Sequence, residues 1–139
     1  DDHDIDISKA ERAMMANDLN ADCFIRVHAN GSDDHSVNGA LTICQTRNNP
    51  YNDYLYKECR LLSDCVLSEM CKEAGARQRE VWETDTMSGI NWCTVPVTIV
   101  EMGFMSNSEE DELMATDSYQ ESLAEGIANG IDRYFDEIG

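Results

Sequence analysis

Two short apolar runs, each closing on an ionisable side chain, set the strongest limit on how this chain can fold. Cys23-Phe24-Ile25-Arg26-Val27-His28 is mostly apolar and ends on an imidazole. Val95-Pro96-Val97-Thr98-Ile99-Val100-Glu101 is rich in β-branched residues and ends on a carboxylate. Such runs, lacking polar alternation, read as strands buried on both faces, as in a parallel sheet. Pro96 is tolerated because it falls among the first residues of its run. Gly39-Ala40-Leu41-Thr42-Ile43-Cys44 reads as a further strand.

Helical signals surround these runs. Ser8-Lys9-Ala10-Glu11 has the form of a capping box, and Ala10, Ala13 and Met14 follow at helical spacing, so a helix is expected over 9–19 with Asn20 as its left-handed terminator. Asp1-Asp2-His3-Asp4 before it reads as a loose polar lead. Asn48-Asn49-Pro50 sets up a long helix whose apolar face is Leu55, Cys59, Leu62, Val66 and Met70, ended by Gly75. Residues 76–94 read as mostly irregular. Ser106-Asn107-Ser108 caps a short helix over 109–115. Asp117 with Gln120 caps the last helix, expected to bury Leu123, Ile127, Ile131 and Phe135. The order implies one α/β domain over 1–139, a mostly parallel sheet flanked by helices on both faces.

Charge excludes some functions. Against 28 Asp and Glu stand 10 Lys and Arg, a net −18 over 139 residues. Nucleic acid and anionic membranes attract clustered cations, so neither is an expected partner. No apolar run reaches the roughly 20 residues of a bilayer span. Cys23, Cys44, Cys59, Cys65, Cys71 and Cys93 include no C-x-x-C pair, which speaks against a thiolate zinc knuckle. Several stand at apolar positions of periodic segments and are expected to be free, mostly buried thiols.

The two strand-end groups carry the chemistry. Alone, His28 is most simply a hydrogen-bonded strand-end histidine and Glu101 a solvated acid. Together, at the carboxyl ends of sheet strands where α/β proteins place their sites, they can converge in one cleft. A neutral imidazole ligates metals, and a nearby carboxylate takes a proton from bound water.

The run Ala21 to Asn30, ADCFIRVHAN, resembles the ADLFISIHAN strand of the zinc-dependent N-acetylmuramoyl-L-alanine amidases of the type 3 family. Val100 to Asn107, VEMGFMSN, resembles their VELGFLSN segment. SKAERAMMAN, from Ser8, is similar to their LSERAQIAN stretch, and Asp111 to Phe135 is similar to their closing helices. The resemblance covers nearly the whole chain, in the family's order. It implies His28 as a zinc ligand and Glu101 as the catalytic acid/base. The implied substrate is peptidoglycan, cut at the amide between N-acetylmuramic acid and L-alanine by zinc-activated water, outside the cell or in its wall.

The resemblance also implies a gap. The family's first strand, the Gly-rich turn with a further ligand His, and the helix with a ligand Glu precede the stretch matched by Ser8. The chain is therefore expected to lack the first strand-helix portion, with the remaining Zn2+ ligands upstream of Asp1. His3 lacks the turn glycines, and His35 lies where the family shows no ligand. The segment Arg77 to Asn91 is expected to wall the substrate groove, with Arg77, Arg79 and Asn30 as substrate contacts. Met102 and Met105 read as packing, and Trp92 as burial against the sheet ahead of a place lining the groove. Ser88 and Ser106 lack His and Asp partners at triad spacing. Two other readings remain: a non-catalytic, amidase-like wall-binding or regulatory module, and an acidic cation-binding protein using Asp1 to Asp4 and Glu109 to Glu112. Neither acidic stretch has calcium-loop spacing.

Overall fold

The computed structural model describes residues 8–139, so the polar lead with His3 lies outside the described residues. Helix α1 (Lys9–Asp18) begins on Ser8, whose Oγ accepts from the Glu11 N–H at 3.1 Å. Asn20 follows at φ 49°, the left-handed turn expected of it. Strand β1 (Phe24–Asn30) leads through a loop to β2 (Ala40–Cys44), and α2 (Tyr56–Ala74) crosses over to β3 (Gln78–Glu83). After the single turn α3 (Ser88–Asn91) come β4 (Val97–Phe104), α4 (Ser108–Met114) and α5 (Asp117–Ile138).

The sheet order is β1-β4-β2-β3. β1 with β4 and β2 with β3 run parallel, and the central β2–β4 pair runs antiparallel. The sheet is mostly parallel, as expected, but its middle seam is reversed. That reversal brings the carboxyl ends of β1 and β4 to the end of the sheet where β2 begins.

Helices cover both faces. One face carries Leu41, Ile43, Val97 and Ile99, packed with Ala13 of α1 and Ile90 of α3. The other carries Ala40 and Val100 under Leu62, Val66 and Met70 of α2 and Leu123 and Tyr134 of α5. Each fully buried aliphatic side chain contributes about 1.5–3 kcal/mol. Helices α2 and α5 touch through glycines: a Cβ on Gly126 would sit 2.5 Å from the Met70 Cα, and one on Gly130 2.5 Å from the Val66 Cα. This spacing reshapes the expected α5 face. The buried line is Leu123, Gly126, Gly130 and Tyr134, with Ile127 and Ile131 at its margin and Phe135 40% exposed. The α5 cap is Thr116, whose Oγ1 accepts from the Tyr119 N–H, rather than Asp117.

Residues 76–94 are more regular than their composition suggests. β3 is an edge strand whose half-buried positions are Arg79, Val81 and Glu83. Polar residues on its inner side hide the alternation. Glu83 is held there by Arg60 Nη1 at 2.7 Å and the Tyr56 hydroxyl at 2.5 Å.

Asp85 ties the loop after β3 to the loop after β2. Its carboxylate accepts from the Thr46 N–H at 2.9 Å, Thr46 Oγ1 at 2.5 Å and Asn49 Nδ2 at 2.8 Å. Burial alone would raise this carboxyl, but the three bonds outweigh it and hold the pKa below its ordinary value. A depressed carboxyl stabilises the fold above its unfolded-state pKa of about 3.9, and that contribution is lost as pH falls through the folded value. Asp85→Asn is expected to cost about 1–2 kcal/mol at neutral pH. Thermal melts should show the gap to wild type closing as pH falls below the ordinary carboxyl range; a gap independent of pH would remove the charge from the explanation.

All six cysteines are free, and all but Cys23 are buried. Burial pushes Cys44 and Cys93 up to about 12 and Cys71 up to about 11, so these thiols stay protonated and unreactive.

At the other edge of the sheet, β1 pairs only with β4 among the described residues. Its Val27 is 47% exposed. Beside the start of β1 lies an apolar groove of about 360 Å³ lined by Met15, Ala16, Leu19, Cys23 and Phe24. Among the described residues no helix is long and apolar enough to cross a membrane.

Candidate active site

β1 and β4 deliver the two strand-end groups to one place. His28 and Glu101 are register partners across the parallel β1–β4 ladder, so their side chains leave the sheet on the same face from strands about 4.8 Å apart. Leu41 of β2 pairs with Glu101 from the other side. That face is the one covered by α1 and α3. The ladder loses its register between His28 and Asn30, where Asn30 pairs with Phe104. β4 takes one extra residue there, an irregularity just past the two side chains, and pairing then resumes, with the Met105 N–H donating to the Asn30 carbonyl at 2.8 Å.

Glu101 is half-buried, and its Oε2 is buried with no hydrogen-bond partner among the described residues. Burial pushes its carboxyl above the ordinary value, and the nearby Arg26 guanidinium pulls the other way. His28 is lowered, first by burial and then by the fields of Arg26, Lys9 and Arg12. Near neutral pH the imidazole is therefore neutral. In a chain with few cations, three of them act on one histidine.

Arg26 was part of an apolar run in the sequence, with no role assigned to it. Its Nη2 lies 3.2 Å from His28 Nε2. A guanidinium only donates, so Nε2 accepts and the ring proton sits on Nδ1. Arg26 is 6% exposed, and its Nε is buried without a partner among the described residues. The signal was present in the sequence: a lone cation inside a strand buried on both faces needs a reason.

The other expected contacts are arranged differently. Asn30 uses its Oδ1 to accept from the Gly31 N–H at 2.8 Å. Arg79 donates to the Asn38 carbonyl at 3.1 Å and lies 5.6 Å over the Phe104 ring, while Arg77 is exposed. Among the described residues no hydrogen bond joins either arginine to His28 or Glu101. The Arg77–Asn91 segment reaches the site through α3, where Gly89 lies against the Arg26 guanidinium. Trp92 is 56% exposed rather than packed, and with Tyr51, Thr86, Ser88 and Asn91 it lines a cavity of about 270 Å³. Met102 joins the α2/α5 core as expected, but Met105 is 55% exposed. Ser106 Oγ accepts from the Ser32 N–H, a loop tie. His35 is exposed in the loop after β1. Glu110 in the acidic stretch is also structural: its Oε1 accepts from the N–H groups of Gly39 and Phe104.

A zinc ion needs three or four converging donors. Among the described residues no group of three or more His, Cys, Asp and Glu could hold a metal. The single imidazole in the site already uses its Nε2 lone pair. The described residues do not by themselves fit zinc.

The sequence and the fold both match known proteins. The uncharacterized protein YqiI of Bacillus subtilis is 31% identical over 137 residues, 99% of this chain and 62% of its own length. The N-acetylmuramoyl-L-alanine amidase LytC of the same organism is 27% identical over 128 residues, 92% of this chain and 24% of its own length. The chain thus spans less than two thirds of these relatives. The crystal structure of an N-acetylmuramoyl-L-alanine amidase from Clostridium difficile 630 superposes with a TM-score of 0.85 at 26% identity, over 98% of this chain and 69% of that one. A family model described as Amidase_3, N-acetylmuramoyl-L-alanine amidase, matches residues 1–133. With the fold and the matched length in agreement, the chain belongs to the N-acetylmuramoyl-L-alanine amidase family.

Proposed function

We propose that this domain serves hydrolysis of the amide between N-acetylmuramic acid and the L-alanine of the stem peptide in peptidoglycan. The observation that carries the reading is Glu101, a carboxylate with a buried, unpartnered oxygen, level with His28 on the adjoining strand. A carboxylate whose pKa is raised by burial is suited to move a proton near neutral pH. It takes one from the attacking water and gives it to the departing amine. Negative charge then grows on the carbonyl oxygen, in the positive field of Arg26, Lys9 and Arg12. The same cations favour approach of an anionic stem peptide to an otherwise acidic protein.

Zinc dependence is what the family resemblance implies for the whole protein. The described residues offer a metal one imidazole, and that imidazole is engaged, so no step is assigned to a metal. Location outside the cell follows from the substrate.

The test is digestion of purified peptidoglycan by the full-length protein. New free L-alanine amino groups are expected, with no new reducing sugar ends. Reducing ends without new amines would make the domain a glycosidase-associated module instead. The second reading, a wall-binding module without hydrolysis, is favoured by the Arg26–His28 contact. It predicts sedimentation with peptidoglycan and no product of either kind.

A further inference from the structure

We propose that Arg26 is the resident cation of this site: its guanidinium holds the His28 lone pair that a metal ion would need, and a divalent ion reaches that imidazole only when Arg26 has left. The inference shares with the reading above only the place of His28 in the site, and does not rest on hydrolysis being observed.

A neutral imidazole has one free lone pair, and here it points at Nη2, 3.2 Å away. Zinc bonds imidazole nitrogen at about 2.0–2.1 Å, so an ion on that line would fall inside the volume of Nη2. The guanidinium and the ion cannot share the position. Arg26 is also firmly seated. It is 6% exposed, and Nη1 occupies the space above Gly89, where any Cβ would run into it. Among the described residues no carboxylate forms an ion pair with Arg26. Its charge therefore faces the imidazole and, farther off, Glu101, and a second cation entering between them is repelled. In the family strand that this run resembles, ADLFISIHAN, the matching position is serine, which has neither the charge nor the reach.

Two variants displace the guanidinium by different routes. Arg26→Ser removes it. Gly89→Ala fills its seat, and Gly89 lies in α3 without a positive φ, so alanine suits the backbone. The probe is zinc chloride alone, added to the 15N-labelled protein near neutral pH. Long-range 1H–15N spectra follow His28, identified by its loss in His28→Gln. In the wild type, Nε2 should be the unprotonated nitrogen. Its resonance should need at least about tenfold more zinc to move than in Arg26→Ser. Gly89→Ala should move toward the Arg26→Ser behaviour. Equal zinc response in wild type and both variants overturns the proposal. So does a wild-type ring carrying its proton on Nε2, a result that requires no variant to fold. Failure of wall digestion alone leaves these spectra unchanged, so the two readings fail separately.

Discussion

Glu101→Gln is expected to lower release of L-alanine amino groups from peptidoglycan by about 10²–10⁴-fold, with the fold intact. An amide of the same shape cannot accept the water proton, and general acid–base assistance is typically of that size. The same change should raise stability. A carboxyl whose folded-state pKa is raised favours folding while protonated, and that advantage is lost as pH rises through the folded value. The ionised form is thus the unfavourable one at neutral pH, and the amide that replaces it carries no charge to desolvate. A gain of about 1 kcal/mol, or roughly 2–4 °C in melting midpoint, is expected near pH 7 and should shrink toward pH 4. Loss of activity with gain of stability separates a proton-carrying residue from a structural one. Unchanged hydrolysis in Glu101→Gln would remove the proposed role.

Gly130→Ala tests the contact between the two longest helices, and the expected effect is a loss of about 3 kcal/mol. On helix propensity alone, alanine would gain up to about 1 kcal/mol over glycine. Packing decides the sign. The new Cβ would lie 2.5 Å from the Val66 Cα and 2.9 Å from the Cys65 carbonyl oxygen, both backbone atoms that no rotamer change can move. Non-bonded carbons rest at about 3.5–4.0 Å, so α5 must retreat from α2 by roughly an ångström along the Leu123–Tyr134 line. That is overpacking at the severe end of its usual range. Gly126→Ala meets the Met70 Cα in the same way, and the double variant should fail to fold cooperatively. Urea unfolding midpoints provide the measurement. A midpoint unmoved by Gly130→Ala would mean the helices stand farther apart.

The strands that form the site were legible because burial on both faces leaves an unbroken apolar run, and because a polar group ending such a run must lie at the rim. β1 and β4 are therefore readable from their runs, and His28 and Glu101 from their places at the ends, while the roles of the two side chains come from the resemblance. β3 did not, since an edge strand pairing Arg79 and Glu83 with inward-facing space shows no apolar alternation. Phe135 misled for a different reason. Spacing by fours placed it on the buried face, but two glycines shifted that face by one position toward Tyr134. For Trp92 the sequence favours burial against the sheet over lining the groove, and its exposed place closes a turn, α3, too short to leave a periodic trace. Arg26 could be read from the sequence as an anomaly but not as a partner of His28. Residues two apart on an ideal strand share a face, yet only the seat above Gly89, far along the chain, turns the guanidinium onto the ring.

The open margin of β1 has a geometric consequence for the imidazole. Among the described residues the backbone groups on that side have no strand partner, and the greasy furrow by Leu19 and Phe24 lies next to them. A segment aligned in the direction of β1 would finish beside His28, because strands in parallel register end level with one another.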